Sequence, residues 1–103
     1  MRFLLKASIP VEAGNTAAKE GRLNKIIDSI LKEQKPEAAY FLAENGQRTA
    51  YIFFEMKNAS QIPSIAEPWF LALNASLELQ PVMVPADLKK ARTDIEAAVK
   101  KYS

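Results

Sequence analysis

Asn45-Gly46 stands between two apolar runs in "AAYFLAENGQRTAYIFFEM", and no other pair of residues constrains the chain as strongly. A type I′ turn needs positive φ at both central positions, which asparagine and glycine adopt most readily. A two-residue loop then sets the strand register, with Glu44 facing Gln47, Leu42 facing Thr49 and Tyr40 facing Tyr51. Side chains alternate along a strand, so Phe41, Ala43, Ala50, Ile52 and Phe54 share one face. Tyr40, Leu42, Glu44, Thr49, Tyr51, Phe53 and Glu55 share the other. The first face is purely apolar and fit to receive helices. The second is aromatic but carries hydroxyls and carboxylates.

The remaining elements follow from the same kind of reading. Phe3 to Ile9 is an apolar run with Lys6 and Ser8 interleaved, stopped by Pro10, which predicts a first strand. "VEAGNTAAKEGR", punctuated by Gly14 and Gly21, predicts a turn and a short helical piece. Leu23, Ile26, Ile27, Ile30 and Leu31 keep helical spacing, and Lys35-Pro36 ends that helix. Asn58 or Ser60 suits the cap of a second helix through Ile62, Ile65, Ala66, Trp69, Phe70 and Leu73. Pro68 has no N–H and disfavours α conformation at Glu67, so a break or kink is expected near Glu67, with Pro68 opening a short second turn. "SLELQ" alternates as a half-buried strand, and Pro81 assigns it to a sheet edge. Pro85 opens a last helix with Leu88, Ala91, Ile95, Ala98, Val99 and Tyr102 on one side and lysines on the other. Its end, Ala98 to Tyr102, is expected to fray unless it docks.

The order is strand, helix, strand, strand, helix, strand, helix. The βαββαβ part is a ferredoxin-like α+β plan: a four-stranded antiparallel sheet with helices on one face, here followed by a C-terminal helix. Without repeats or linkers, residues 1–103 read as a single domain. The first strand is expected between the third and fourth. The bare sheet face would show Leu4, Tyr40, Leu42, Tyr51 and Phe53, too much apolar surface for an isolated monomer. A symmetric copy is the simplest cover.

At this point the residues resemble a known group. The βαββαβ order, the polar-aromatic face and "IAEPWFLALNASLELQPVM" look like the dimeric α+β barrel superfamily. More narrowly, "KPEAAYF", "AENGQRTAYIFFEM" and "IAEPWFLALNA" resemble a family of small, uncharacterised bacterial proteins of that type. The resemblance covers nearly the whole chain and implies a homodimer whose sheets close into a barrel. It implies no single chemistry, because that superfamily hosts cofactor-free monooxygenases, haem-degrading enzymes, isomerases, dehalogenases and proteins with no known activity. No residue roles carry over from it.

Composition narrows the chemistry. The 103 residues contain no cysteine and no histidine. Disulfides and thiolate nucleophiles are excluded, and so are the commonest general base, metal ligand and haem axial ligand. Carboxylates are scattered without the spacing of a metal site, so no metal and no cofactor are expected. A net charge of +2 does not by itself call for nucleic acid or an acidic membrane. The lysines of "KKARTDIEAAVKKY" read as a solvated helix face. "GNTAAKEG" lacks the ending of a phosphate loop. The basic-apolar start is broken by Lys6 and Pro10, and no window is long enough to span a membrane, so the expected location is cytoplasmic.

The candidate pocket therefore lies on the bare face, lined by Lys6, Tyr40, Tyr51, Phe53, Glu55 and Glu78. The strand order brings Lys6 near Tyr51 and Glu78, and Arg2 near Glu55. A lysine beside a carboxylate and a phenol suits an acid/base group or a substrate anchor. The competing structural reading makes Lys6–Glu78 and Arg2–Glu55 cross-strand ion pairs at an interface. Tyr40 and Tyr51 would stack on a ligand or simply pack together. Asn15 and Thr16 would line the barrel mouth or serve a cap and turn. The functional expectation is a small-molecule-binding homodimer, or a cofactor-independent enzyme on an apolar or aromatic substrate, with catalytic residues unassigned. The alternative is a non-catalytic interaction protein whose barrel is filled by side chains. Single-strand nucleic-acid binding would need an exposed sheet and a glycine-aromatic signature that "AYIFFEM" lacks.

Overall fold

The computed structural model describes residues 1–103. The chain runs β1 (Arg2–Ile9), α1 (Val11–Lys19), α2 (Leu23–Gln34), β2 (Ala38–Glu44) and β3 (Gln47–Glu55). A 3-10 turn (Ala59–Gln61) leads into α3 (Ile62–Leu73), then β4 (Ser76–Pro81), α4 (Pro85–Lys90) and α5 (Arg92–Tyr102). The four strands form one antiparallel sheet in the order β2-β3-β1-β4, with β1 between the third and fourth strands. This is the ferredoxin-like α+β plan.

The hairpin sets the register of the whole sheet. Asn45 and Gly46 take φ of 52° and 74°, as a type I′ turn requires. Tyr40 consequently faces Tyr51, Leu42 faces Thr49 and Glu44 faces Gln47. One sheet face is covered: Leu5, Ala7, Ile9, Ala50, Ile52 and Phe54 pack with Ala17, Ile30, Trp69 and Leu73 from α1, α2 and α3. β4 pairs only with β1 and is an edge, as Pro81 requires.

Three local expectations are corrected. Val11–Lys19 is a nine-residue helix, not a turn with a short helical piece. Gly14 sits inside it because α1 approaches the sheet closely: a Cβ there would stand 2.7 Å from Arg48 Nη1 and 3.3 Å from Ile9 Cγ2. Gly21, at φ 72°, is the true punctuation. The second helix does not break at Glu67. α3 runs unbroken through Pro68, because burial of Ala66, Trp69 and Leu73 on either side holds the backbone that the missing N–H would release. Its entry is the 3-10 turn Ala59–Gln61, which Asn58 caps reciprocally with Gln61, whose side chain accepts the N–H groups of Lys57 (2.6 Å) and Asn58 (3.2 Å). Finally, the last helix is two, with a bend at Ala91.

α4 and α5 stand apart from the body. The molecule measures 59 × 28 × 20 Å and has a radius of gyration of 17.3 Å, against about 13 Å for a compact chain of this length. No helix is long and apolar enough to cross a membrane.

Candidate functional site

The open sheet face presents side chains from all four strands, and its centre is polar. Lys6 lies mid-strand in β1, facing Tyr51 of β3 on one side and Glu78 of β4 on the other. Its ammonium group crosses β3 to form an ion pair with the Glu44 carboxylate on β2. Tyr51 Oη donates to the same carboxylate, at 2.5 Å from Glu44 Oε1. Lys6 Nζ stands 6.0 Å from the Tyr51 ring centroid, at the outer limit of a cation–π contact. Lys6, Glu44 and Tyr51 thus form one connected cluster, each partly shielded from solvent.

The electrostatics of the cluster are consistent among its members. The hydrogen bond to Glu44 raises the Lys6 pKa above its ordinary value, outweighing the lowering effect of burial. Glu44 is lowered, by Lys6 first and by the Tyr51 hydroxyl second. Tyr51 is raised, by its hydrogen bond to Glu44 and then by burial. At neutral pH the three are therefore held as ammonium, carboxylate and neutral phenol. A general base needs a lysine pushed toward neutrality, and here the shift runs the other way. The arrangement suits holding a ligand better than moving a proton.

The other sequence-designated residues fall around this centre. Glu78 faces Lys6 but makes no salt bridge with it, so the expected Lys6–Glu78 pair is replaced by Lys6–Glu44. Glu55 lies at the end of the face, 3.9 Å from Arg2 Nη2, while Arg2 grips Glu37 more closely through Nε (2.9 Å) and Nη2 (3.4 Å). The Arg2 pKa is raised chiefly by that hydrogen bond to Glu37. Tyr40 faces Tyr51 in register, but its ring packs edge-on against Phe53, with centroids 6.4 Å apart at 79°. Asn15 is structural, its Oδ1 accepting from Arg48 Nη1 at 3.0 Å. Thr49 is buried and donates to the Gln47 carbonyl at 3.1 Å.

Glu44 and Glu37 are absent from the candidate pocket expected from the sequence. Alternation places Glu44 on the open face, but the expected partner of Lys6 is Glu78, its in-register neighbour. Glu37 precedes β2 and carries no periodic signal. The largest apolar groove, about 770 Å³, lies elsewhere, between α2 and the β2–β3 hairpin. Val11, Ile27, Leu31 and Phe41 line it.

No protein-family model matches the chain, and no curated protein does. Among solved structures, a formyltetrahydrofolate deformylase from Pseudomonas putida is similar at 17% identity and a TM-score of 0.49, over 80% of this chain. The match spans 29% of the deformylase's length. The de novo designed protein Ferredog-Diesel is similar at 8% identity and a TM-score of 0.46, over 79% of this chain and 85% of that one. The fold assignment rests on the strand order and register, and neither likeness bears on activity.

Proposed function

We propose that this chain is a small-molecule-binding homodimer that pairs through its open sheet face, as in the dimeric α+β barrel superfamily. The observation that carries the reading is the Lys6–Glu44–Tyr51 cluster, set among Leu4, Tyr40, Leu42 and Phe53 on a face no helix covers. Tyr40 is 62% exposed in the single chain, an unusual state for an aromatic at the middle of an edge strand. A second sheet placed over it would enclose the cluster in an apolar chamber. The cluster has no net charge, so the chamber suits a neutral, largely apolar or aromatic ligand with one polar group directed at Tyr51 and Lys6.

The rival reading is a non-catalytic interaction protein with a side-chain-filled barrel. It is favoured by the mutual satisfaction of Lys6, Glu44 and Tyr51, which leaves no partner conspicuously missing. The first of two measurements tests the pairing common to both readings, and the second separates them. Sedimentation equilibrium should give twice the chain mass, and Tyr40→Glu should weaken association at least about tenfold by forcing a charge against apolar surface. A thermal-shift screen of neutral aromatic compounds should then find stabilisers of the wild type that fail on a dimeric Tyr51→Phe variant. A monomeric wild type refutes the pairing; ligands that stabilise wild type and Tyr51→Phe equally refute the site.

A further inference from the structure

Beyond Val82, whose N–H donates to the Arg2 carbonyl (3.0 Å), the C-terminal helices α4 and α5 pack chiefly against each other. In α4 and α5, Leu88, Ile95, Val99 and Tyr102 form a stripe at helical spacing, and every one is more than half exposed. The groove between α2 and the hairpin is unfilled in the same way, with Phe41 at its wall 53% exposed. A chain of 11.5 kDa that packs compactly exposes about 5,800 Å². This one exposes 7310 Å², an excess of about 1,500 Å². That excess is roughly twice what each partner contributes to a stable interface. The arm, the groove and the open sheet face all contribute to it.

We propose that α4 and α5 are a dimerisation arm whose apolar stripe seats in the α2–hairpin groove of a second copy of this chain, each copy exchanging its arm for the other's. Topology disfavours the arm's own groove as the seat. The arm leaves from Pro81, which pairs with Phe3 at the start of β1, on the β4 edge. The groove lies by Ile9 and the hairpin turn, at the far end of β1, on the β2 edge. Root and seat are diagonal corners of one sheet. A second copy removes the crosswise part of the conflict, because a two-fold axis along the strands lays each β4 edge over the partner's β2 edge. The lengthwise offset remains, so the arm must round that edge and run the length of β1, about 26 Å for eight residues. The helical residues of α4 and α5 span that length at about 1.5 Å each. Such an exchange is self-complementary and closes after two copies. It does not require the sheet-face contact, although the same two-fold accommodates both.

The absence of cysteine makes a direct test possible. Full-length Glu96→Cys, beside the stripe, and Asp28→Cys, on the groove rim, are co-expressed as two separate chains and treated with a short bismaleimide. The expected product is a covalent heterodimer joined at those two positions. Adding Ile95→Asp to the arm should lower its yield at least about tenfold, since a charge would enter an apolar seat. Ile95 is exposed in the single chain, so circular dichroism and melting should stay unchanged. Four results overturn the proposal: no cross-link, a link formed only within a doubly substituted monomer, Glu96→Cys chains joined to each other, or a yield that ignores Ile95→Asp. The outcomes also separate this proposal from the sheet-face reading. If Tyr40→Glu weakens a dimer that never cross-links, only the arm exchange fails; if the cross-link forms in a dimer indifferent to Tyr40→Glu, only the sheet pairing fails.

Discussion

The two faces of the sheet are built from the same strands, residue by alternate residue, yet they do opposite things. On the covered face, Leu5, Ala7, Ile9, Ala50 and Ile52 meet α1, α2 and α3 and lose nearly all contact with solvent. On the open face, Leu4, Lys6, Tyr51 and Phe53 come from the same two central strands, remain half-buried, and gather charge around Glu44. A one-residue slip would exchange the faces, so the Asn45-Gly46 turn determines which side builds the core and which side stays open. The apolar core lies on one side of the β1–β3 pair and the charged cluster on the other.

The contrast breaks most easily at Trp69. It is 0% exposed, the largest wholly buried side chain, and it packs over Leu5 and Ile52 in the same core. Trp69→Ala should cost about 3–5 kcal/mol, since both transfer free energy and cavity formation oppose it. Urea denaturation read by far-ultraviolet circular dichroism would measure that loss. A truncation on the open face of similar severity, such as Tyr40→Ala, should cost far less in the isolated fold. Comparable losses at the two positions would mean that the faces are not divided as described.

Where the sequence was legible, one physical signal dominated. The hairpin, its register and the apolar face follow from a turn type that few residue pairs permit, and the edge position of β4 follows from Pro81. Legibility failed where two signals competed. Gly14 reads locally as a breaker, but its role is to let α1 approach Arg48 and Ile9. Lys6 reads as the partner of Glu78 because cross-strand neighbours are the nearest acids, yet its long stem reaches past Tyr51 to Glu44. No periodicity encodes a diagonal contact of that kind. Pro68 reads as a break, and burial of Trp69 overrides it. That last conflict gives a second, smaller test. Pro68→Ala would restore the N–H that α3 lacks toward the Ser64 carbonyl, at the expense of a more flexible unfolded chain. The net result should be a stabilisation of about 1 kcal/mol, seen as a raised urea midpoint. A destabilised variant would show that the proline ring itself is a packing element of the covered face.

The smallest effect belongs to the open face and is one of pH. Glu44 lies below its ordinary pKa of 4.5, so its contribution to stability is complete above that value and is lost as pH falls through the lowered, folded-state pKa. Lys6 and Tyr51 lie above their ordinary values of 10.5 and 10.0, so their contribution is complete below about those values and is lost as pH rises through the raised ones. The wild type and Glu44→Gln should therefore differ by a constant amount across the neutral range, and the difference should shrink at both ends. Denaturation of both proteins from acid to alkaline pH isolates the cluster, because every other carboxylate is common to the two. A difference that persists undiminished in acid would show that Glu44 acts through packing and not through charge. One that shrinks at both ends locates the open face's own contribution in the Lys6–Glu44–Tyr51 contact, while the covered face, which buries no ionisable side chain, stays indifferent to pH.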